Sequence, residues 1–229
     1  MIHTLVHLIR ANILKVYKKM KLKIHQILPK TFIEFKRKRR LKRILVEWDQ
    51  RNFLGYSPQI VKEKIFSSYG ISGANWIETG TYMGVTTNFL RKNFPYVYSI
   101  EPSYEYYSSA LKRFEGKNVT LFNDLSENVL PELLPKLEGN INFWLDGHYS
   151  GGNTFKGISD CPIIDELSVI KKNFHRYNKL CILIDDVRLF SQSNKEYSDY
   201  PSIDYLVDWA RGMKMIWHIE HDIFIMRKN

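Results

Sequence analysis

Acidic residues stand at or just after the ends of five short apolar segments between residues 75 and 186. They are Glu78, Glu101, Asp124, Asp146 and the adjacent pair Asp185 and Asp186. If the apolar segments are parallel strands, their carboxyl ends lie at one edge of a sheet, which is where open α/β sheets bind ligands. A set of carboxylates at that edge is suited to binding hydroxyl groups and cations.

A turn containing two glycines follows the first of these acids, in the segment E-T-G-T-Y-M-G from Glu78 to Gly84. Gly80 and Gly84 permit a tight turn and a close approach of the backbone to a ligand, before a helix whose amino terminus faces the site. Tyr82 stands where a dinucleotide-binding motif has its second glycine, and Glu78 favours a cation over phosphates. Glu101 is placed to hold the two hydroxyl groups of a ribose. These residues predict a nucleoside with a positive charge and no phosphate, and S-adenosylmethionine is such a molecule.

These features resemble the class I S-adenosylmethionine-dependent methyltransferases. The E-x-G-x-Y-x-G turn is similar to the catechol O-methyltransferase branch and to bacterial small-molecule and sugar O-methyltransferases. The resemblance covers about residues 71–227, including the pair Asn123-Asp124 and a terminal hairpin. It implies that Glu101 binds the ribose hydroxyls and that Asp124 binds the adenine amino group. It also implies that Glu78, Gly80 and Gly84 line the methionine end of the cofactor, and that Thr81 and Tyr82 also bind the cofactor.

The same resemblance implies a divalent cation held by Asp146, Asp185 and Asp186, with magnesium favoured by the hard carboxylate oxygens. Asp186 stands where the family often has asparagine, and the family's lysine base after the fourth-strand acid is missing. His148 is the nearest replacement, because an imidazole with a pKa of about 6.5 suits general-base catalysis near neutral pH. We therefore expect Asp146 and His148 to be the catalytic residues, beside a substrate loop at 149–154.

Structural interpretations of the same residues stay open. Asp124 could cap the following helix, and Asp185 and Asp186 could form a turn or pair with Arg188. His148 could bind substrate without acting as a base.

Short apolar segments alternate with helical patterns after Gly70, which predicts a Rossmann-like parallel sheet with helices on both faces. The predicted strands are Asn75–Thr79, Tyr96–Ile100, Val119–Phe122, Ile141–Leu145 and Leu180–Ile184. The predicted helices are Val85–Lys92, Tyr104–Phe114, Ser126–Leu137, Pro162–Phe174 and Ile203–Met213, preceded by one that Ser57 caps and that ends near Tyr69.

Two further strands, Lys214–Ile219 and Asp222–Met226, are separated by only two residues, so they must form an antiparallel hairpin. We expect the hairpin histidines, His218 and His221, to lie far from the carboxyl ends of the parallel strands.

The net charge of +10 is concentrated near the start of the sequence. Residues 1–43 hold fourteen Lys or Arg and one acid, whereas the remainder holds 20 basic and 23 acidic residues. We therefore predict a basic amphipathic helical arm at 1–48 and a methyltransferase-like domain at 49–229. The helical pattern at Ile2–Leu28 and the KRKRRLKR segment at Lys36–Arg43 favour an anionic membrane surface as the partner of the arm. Nucleic-acid phosphates, or packing on the domain or on a second subunit of a homo-oligomer, are alternatives.

The composition, 44% hydrophobic and 25% charged, argues against disordered, collagen-like and disulfide-scaffold proteins. We find no cleavable signal peptide and no apolar stretch of about 18 residues that could span a membrane. Cys181 lies in an apolar run and is predicted to be a buried free thiol. We expect a cytoplasmic protein, located at the inner face of the membrane if the arm binds there.

Together these observations predict an O-methyltransferase that acts on a hydroxyl group of a small molecule, sugar or glycan with the help of a divalent metal. A nucleic-acid methyltransferase that uses the basic arm is one alternative. A non-catalytic, membrane-associated protein on the same fold is another.

Overall fold

A computed structural model describes residues 30–147, 161–191 and 199–228 of the chain. Its contacts divide the chain into two units, Met1–Leu54 and Gly55–Asn229. The helix predicted at Ile2–Leu28, the candidate base His148 and the predicted loop at 149–154 lie outside the described residues.

In the described part of the first unit, helix α1 (Lys30–Gln50) carries the basic segment Lys36–Arg43. Every Lys and Arg side chain of that segment is exposed, whereas Trp48 near the end of the helix is buried. No helix among the described residues is long and apolar enough to cross a membrane.

The second unit alternates strands and helices. Segments whose apolar residues recur with the period of a strand alternate there with segments that have the period of a helix. Strands β1 to β7 are Asn75–Thr79, Val97–Ile100, Val119–Phe122, Gly139–Leu145, Tyr177–Ile184, Ile216–Glu220 and Ile223–Lys228. Helices α2 to α7 are Gln59–Tyr69, Val85–Asn93, Tyr104–Phe114, Ser126–Leu133, Ile163–Asn173 and Ile203–Gly212. Short 3₁₀ helices lie at Leu134–Lys136, Phe174–Arg176 and Val187–Leu189.

The seven described strands form one sheet in the order β3-β2-β1-β4-β5-β7-β6. Strands β1 to β5 are parallel, β7 is antiparallel to β5, and β6 is antiparallel to β7. The order of the strands reverses between β1 and β4, and such sheets bind ligands beyond the carboxyl ends of the strands at this point. The predicted fold class, a Rossmann-like sheet with a terminal antiparallel hairpin, is confirmed.

Alternate residues of the central strands enter cores on opposite faces of the sheet. In β4, Phe143 belongs to the core formed with α5, α6 and α7, whereas Trp144 belongs to the core formed with α2 and α3. Helices cover both faces because parallel strands are joined by crossovers that return over the sheet. Cys161 and Cys181 are buried free thiols, which confirms the prediction for Cys181.

The helix predicted over Ser126–Leu137 is shorter than expected. It ends at Leu133 and continues as a 3₁₀ turn, since Pro135 has no N–H to donate to the α-helical ladder.

The turn between β6 and β7 lies at the carboxyl edge of the parallel strands. Ile184 at the end of β5 pairs with Phe224 near the start of β7, so His221 and Asp222 lie beside the end of β5. The expectation that the hairpin histidines lie far from this edge is therefore wrong for His221. The predicted cap at Ser57 is also wrong, because its hydroxyl group donates a hydrogen bond to the carbonyl oxygen of His221.

Candidate functional site

Backbone hydrogen bonds hold the residues that follow β1, β4 and β5 side by side. The N–H of Asp146 donates to the carbonyl oxygen of Thr79 at 3.1 Å, and the N–H of Asp185 donates to that of Leu145 at 3.1 Å. Both bonds extend the sheet past the ends of its strands. As a result Asp146, Asp185 and Asp186 each present an oxygen within 4.8 Å of the other two.

The turn after β1 uses backbone conformations that favour glycine. Gly80 has φ 91° and Gly84 has φ 64°. A side chain at Gly80 would collide with the carbonyl oxygen of Asp146, and one at Gly84 would place Cβ 2.8 Å from the ring of Phe114. Tyr82 also has a positive φ, 46°, so the middle residue of the turn has a glycine-like backbone although it carries a ring.

Glu78, next to this turn, is fully buried. Its Oε2 accepts hydrogen bonds from Thr87 Oγ1 at 2.6 Å and from Ser99 Oγ at 2.5 Å. Its Oε1 has no hydrogen-bond partner among the described residues. Burial raises the pKa of Glu78 to about 8, although the two hydroxyl groups oppose the shift. A cationic ligand group would provide the missing partner and favour the ionised carboxylate.

Glu101 fixes the turn from the end of β2. Its Oε2 accepts a hydrogen bond from the N–H of Tyr82 at 2.6 Å, and its Oε1 accepts one from the N–H of Ser103 at 2.9 Å. Burial raises the pKa of this carboxyl group, and the two N–H groups partly offset the shift. Each oxygen retains a second lone pair, which can accept a hydrogen bond from a ribose hydroxyl group.

Asp124 is exposed after β3 and already has structural partners. Its Oδ1 accepts hydrogen bonds from Asn128 Nδ2 at 2.8 Å and from the N–H of Leu125 at 2.7 Å. These bonds lower the pKa of Asp124 and join it to the first turn of α5. Its contact with the adenine amino group stays a prediction.

A lysine that the sequence analysis did not single out lies among the carboxylates. Lys62 of α2 forms an ion pair with Asp185, and its Nζ lies 4.0 Å from Asp146 Oδ2. The ammonium group also lies 5.3 Å from the ring centre of Trp144. Burial disfavours this charge, but the carboxylates of Asp146 and Asp185 outweigh burial and raise the pKa of Lys62 above its ordinary value. Lys62 is therefore a fixed positive charge in the site.

The remaining carboxylates are also engaged. Asp185 is 1% exposed, and burial together with the charge of Asp146 raises its pKa. Asp186 accepts a hydrogen bond from Arg188 at 2.6 Å, and Arg188 also pairs with Asp222 on the β6–β7 turn. A magnesium ion bound by all three carboxylates would have to displace the lysine ammonium and disturb this arginine. The donor set, with its own cations in place, does not fit the ion.

Lys62 had a detectable signal in the sequence. It precedes Ile65 and Phe66 by three and four residues, and both are buried, so it lies on the inward face of α2. A lysine on the apolar face of a helix needs either a path to water or an acidic partner, and the acids at the strand ends are the candidate partners.

No family profile matches the chain, and no curated protein matches its sequence. Among solved structures it is similar to an rRNA methylase from Streptococcus thermophilus, at 15% identity and a TM-score of 0.44, covering 75% of this chain and 95% of that one. It is also similar to the plantazolicin methyltransferase BamL in complex with SAH, at 14% identity and a TM-score of 0.43, covering 77% and 70%. A third is the N-methyltransferase NodS from Bradyrhizobium japonicum, at 10% identity and a TM-score of 0.46, covering 79% and 95%.

With identities of 10–15% and TM-scores below 0.5, these similarities establish no activity for this chain. By its strand order and its terminal antiparallel hairpin, the described sheet is Rossmann-like.

Proposed function

We propose that this chain is an S-adenosylmethionine-dependent O-methyltransferase that modifies a hydroxyl group of a small molecule, sugar or glycan. The pair of buried carboxylates beside the glycine turn, Glu78 and Glu101, is the observation that supports this most. Glu78 Oε1, without a partner among the described residues, suits the cationic methionine end of the cofactor. Glu101 suits the ribose. Two carboxylates at this position disfavour the pyrophosphate of a dinucleotide.

Methyl transfer requires an acceptor oxygen in line with the sulfur–methyl bond. S-adenosylmethionine supplies the methyl group, whose bond to sulfur breaks as its bond to oxygen forms, and the acceptor proton passes to a base. Asp146 follows β4 beside the glycine turn, and its side chain is 30% exposed, so an acceptor can reach it. We assign Asp146 to acceptor binding and His148 to the role of base. No step passes through a magnesium ion, since Lys62 already pairs with the carboxylates.

The decisive experiment is calorimetric titration of S-adenosylhomocysteine into the purified protein, first with magnesium and then with a chelator. Micromolar binding is expected, with a Kd that corresponds to about −8 kcal/mol. A folded protein that binds nothing under either condition would rule out the methyltransferase function and leave the non-catalytic alternative.

A nucleic-acid methyltransferase is the second candidate, and the exposed cations of α1 favour it. It predicts RNA or DNA binding that weakens steeply with salt. We prefer a membrane surface for α1, because Phe32 and Phe35 are 41% and 61% exposed beside the cations and phosphate binding does not require them. On this proposal the enzyme acts at the inner face of the membrane.

A further inference from the structure

Three carboxylates that share one corner of the site need a source of positive charge. The oxygens of Asp146, Asp185 and Asp186 lie within 4.8 Å of one another, and water screens the nearly buried Asp185 poorly. A divalent cation is one solution that proteins use for such a set. The described residues provide a second source of positive charge.

The ammonium group of Lys62 is that second source of charge. It pairs with Asp185 and lies 4.0 Å from Asp146, on a side chain that is only 14% exposed. An ammonium group has three N–H donors, so it can serve more than one carboxylate. Asp186 has its own cation in Arg188, 2.6 Å away. The chain itself thus supplies a cation to each carboxylate of the cluster.

Core packing fixes the position of this ammonium group. The ring of Phe66, four residues after Lys62 on α2, packs edge-on against Trp144 at 4.7 Å. The Lys62 ammonium lies 5.3 Å from the ring centre of the same tryptophan, which precedes Asp146 by two residues. The helix that carries the lysine is therefore anchored to the strand that carries the acid.

We propose that Lys62 takes the place of a divalent cation in this cluster and that the protein works without such an ion. A metal ion held by Asp146 and Asp185 would adjoin the ammonium group, and like charges repel strongly where water is scarce. The metal independence of methyl transfer rests on the proposed function, whereas the occupation of the cluster by Lys62 does not.

The test is a titration of the full chain with Mn²⁺. Binding is measured as the loss of the free-ion signal in electron paramagnetic resonance. Wild type is expected to leave the ion free, and Lys62→Met is expected to bind it at least about tenfold more tightly. Lys62→Arg keeps the positive charge and is expected to exclude the ion as wild type does. Lys64→Met, at an exposed position of the same helix, is the matched control and is expected to behave as wild type.

Tight Mn²⁺ binding by wild type that disappears in Asp185→Asn would overturn the proposal, because the ion would then displace the ammonium group. A folded Lys62→Met variant that binds Mn²⁺ no better than wild type would also overturn it. If Lys62→Met does not fold, the comparison of wild type with Asp185→Asn still decides. Failure of this proposal can be distinguished from failure of the proposed function. Titration of S-adenosylhomocysteine tests the proposed function without reference to the ion.

Discussion

Burial of Glu78 makes the stability of the protein depend on pH. The pKa of this carboxyl group is about 8 in the folded protein, against an ordinary value of 4.5. Between these values the folded state holds a proton that the unfolded state has released, so stability falls as the pH rises. We predict that the Tm of wild type, relative to Glu78→Gln, falls by about 5 °C or more from about pH 5 to about pH 8. Thermal denaturation followed by circular dichroism measures the difference.

The control for this series is Glu132→Gln, which changes an exposed carboxyl group on α5 and should follow the wild-type profile. If the Tm of wild type and the Tm of Glu78→Gln change with pH in parallel, the raised pKa of Glu78 is contradicted.

Replacement of Glu101 tests the cofactor end of the site. Glu101→Ala removes the carboxylate expected to accept the ribose hydroxyls, and hydrogen bonds to a charged group contribute about 1.5–3 kcal/mol. We predict that S-adenosylhomocysteine binds about 10- to 100-fold more weakly, as measured by calorimetry. Glu105→Ala, at an exposed position on α4, should bind as wild type does. Unchanged affinity in a folded Glu101→Ala variant would remove the ribose assignment.

Asp146 belongs to the acceptor side and should separate binding from transfer. Asp146→Ala is expected to keep its affinity for S-adenosylhomocysteine within about twofold, because the residues expected to contact the cofactor belong to or follow β1, β2 and β3, whereas Asp146 follows β4. Transfer of a labelled methyl group to the acceptor should fall by about 100-fold or more, because the acceptor hydroxyl group is no longer held in line with the methyl group. Asp165→Ala, at an exposed position of α6, is the control. Full activity in Asp146→Ala would end the assignment of Asp146 to acceptor binding.

The acids of the site could be found in the sequence because each one stands at the end of a local apolar run. Lys62 could not be assigned in this way, since its partner Asp185 lies 123 residues further along the chain. The same holds for the hydroxyl groups of Thr87 and Ser99, which matter only because folding brings them to Glu78.

At the scale of the elements, the turn between β1 and α3 has little room for a side chain at Gly80. At Gly80 both a positive φ and the carbonyl oxygen of Asp146 oppose a Cβ atom. At Gly116, φ is also positive, 66°, but a Cβ atom there would have no atom within 4 Å apart from its chain neighbours. We predict that Gly80→Ala lowers the free energy of unfolding by about 2–5 kcal/mol, the sum of overpacking and left-handed strain. Gly116→Ala should lower it by about 1 kcal/mol. Urea denaturation measures both, and equal losses would contradict the role of the close contact.

The strands and most helices could be predicted because their apolar periodicity is local. The start of α2 could not, since Ser57 bonds to His221, 164 residues away, instead of capping its own helix. The place of the hairpin turn at the carboxyl edge depends in the same way on the pairing of β5 with β7. The local sequence pattern predicts that the last two strands form an antiparallel pair. It does not predict which strand of the sheet this pair lies beside.

At the scale of the whole molecule, residues 1–43, with fourteen Lys or Arg and one acid, contrast with the mildly acidic residues 44–229, with 20 basic and 23 acidic residues. We predict that replacing five exposed cations of α1 by glutamine weakens binding to vesicles that contain anionic lipid by about 100-fold or more, since each cation contributes about 1 kcal/mol near such a surface. The five are Lys36, Arg39, Arg40, Lys42 and Arg43. Vesicle co-sedimentation at two salt concentrations measures the effect, which should shrink as salt rises.

The matched control removes five exposed cations from the second unit, and it should bind vesicles as wild type does. These are Lys92, Lys112, Lys136, Lys171 and Lys172. Binding to RNA but not to vesicles would favour the nucleic-acid alternative for α1.

Strand β7 is the last described strand in chain order, yet it lies between β5 and β6. Without Ile223–Lys228, β5 would be an edge strand with unpaired backbone groups along Leu180–Ile184. This segment is apolar and contains neither charge nor proline, the composition that favours strand addition between chains. Pairing with β7 therefore covers an aggregation-prone edge, and any state in which the β6–β7 hairpin has detached from β5 exposes that edge to other chains.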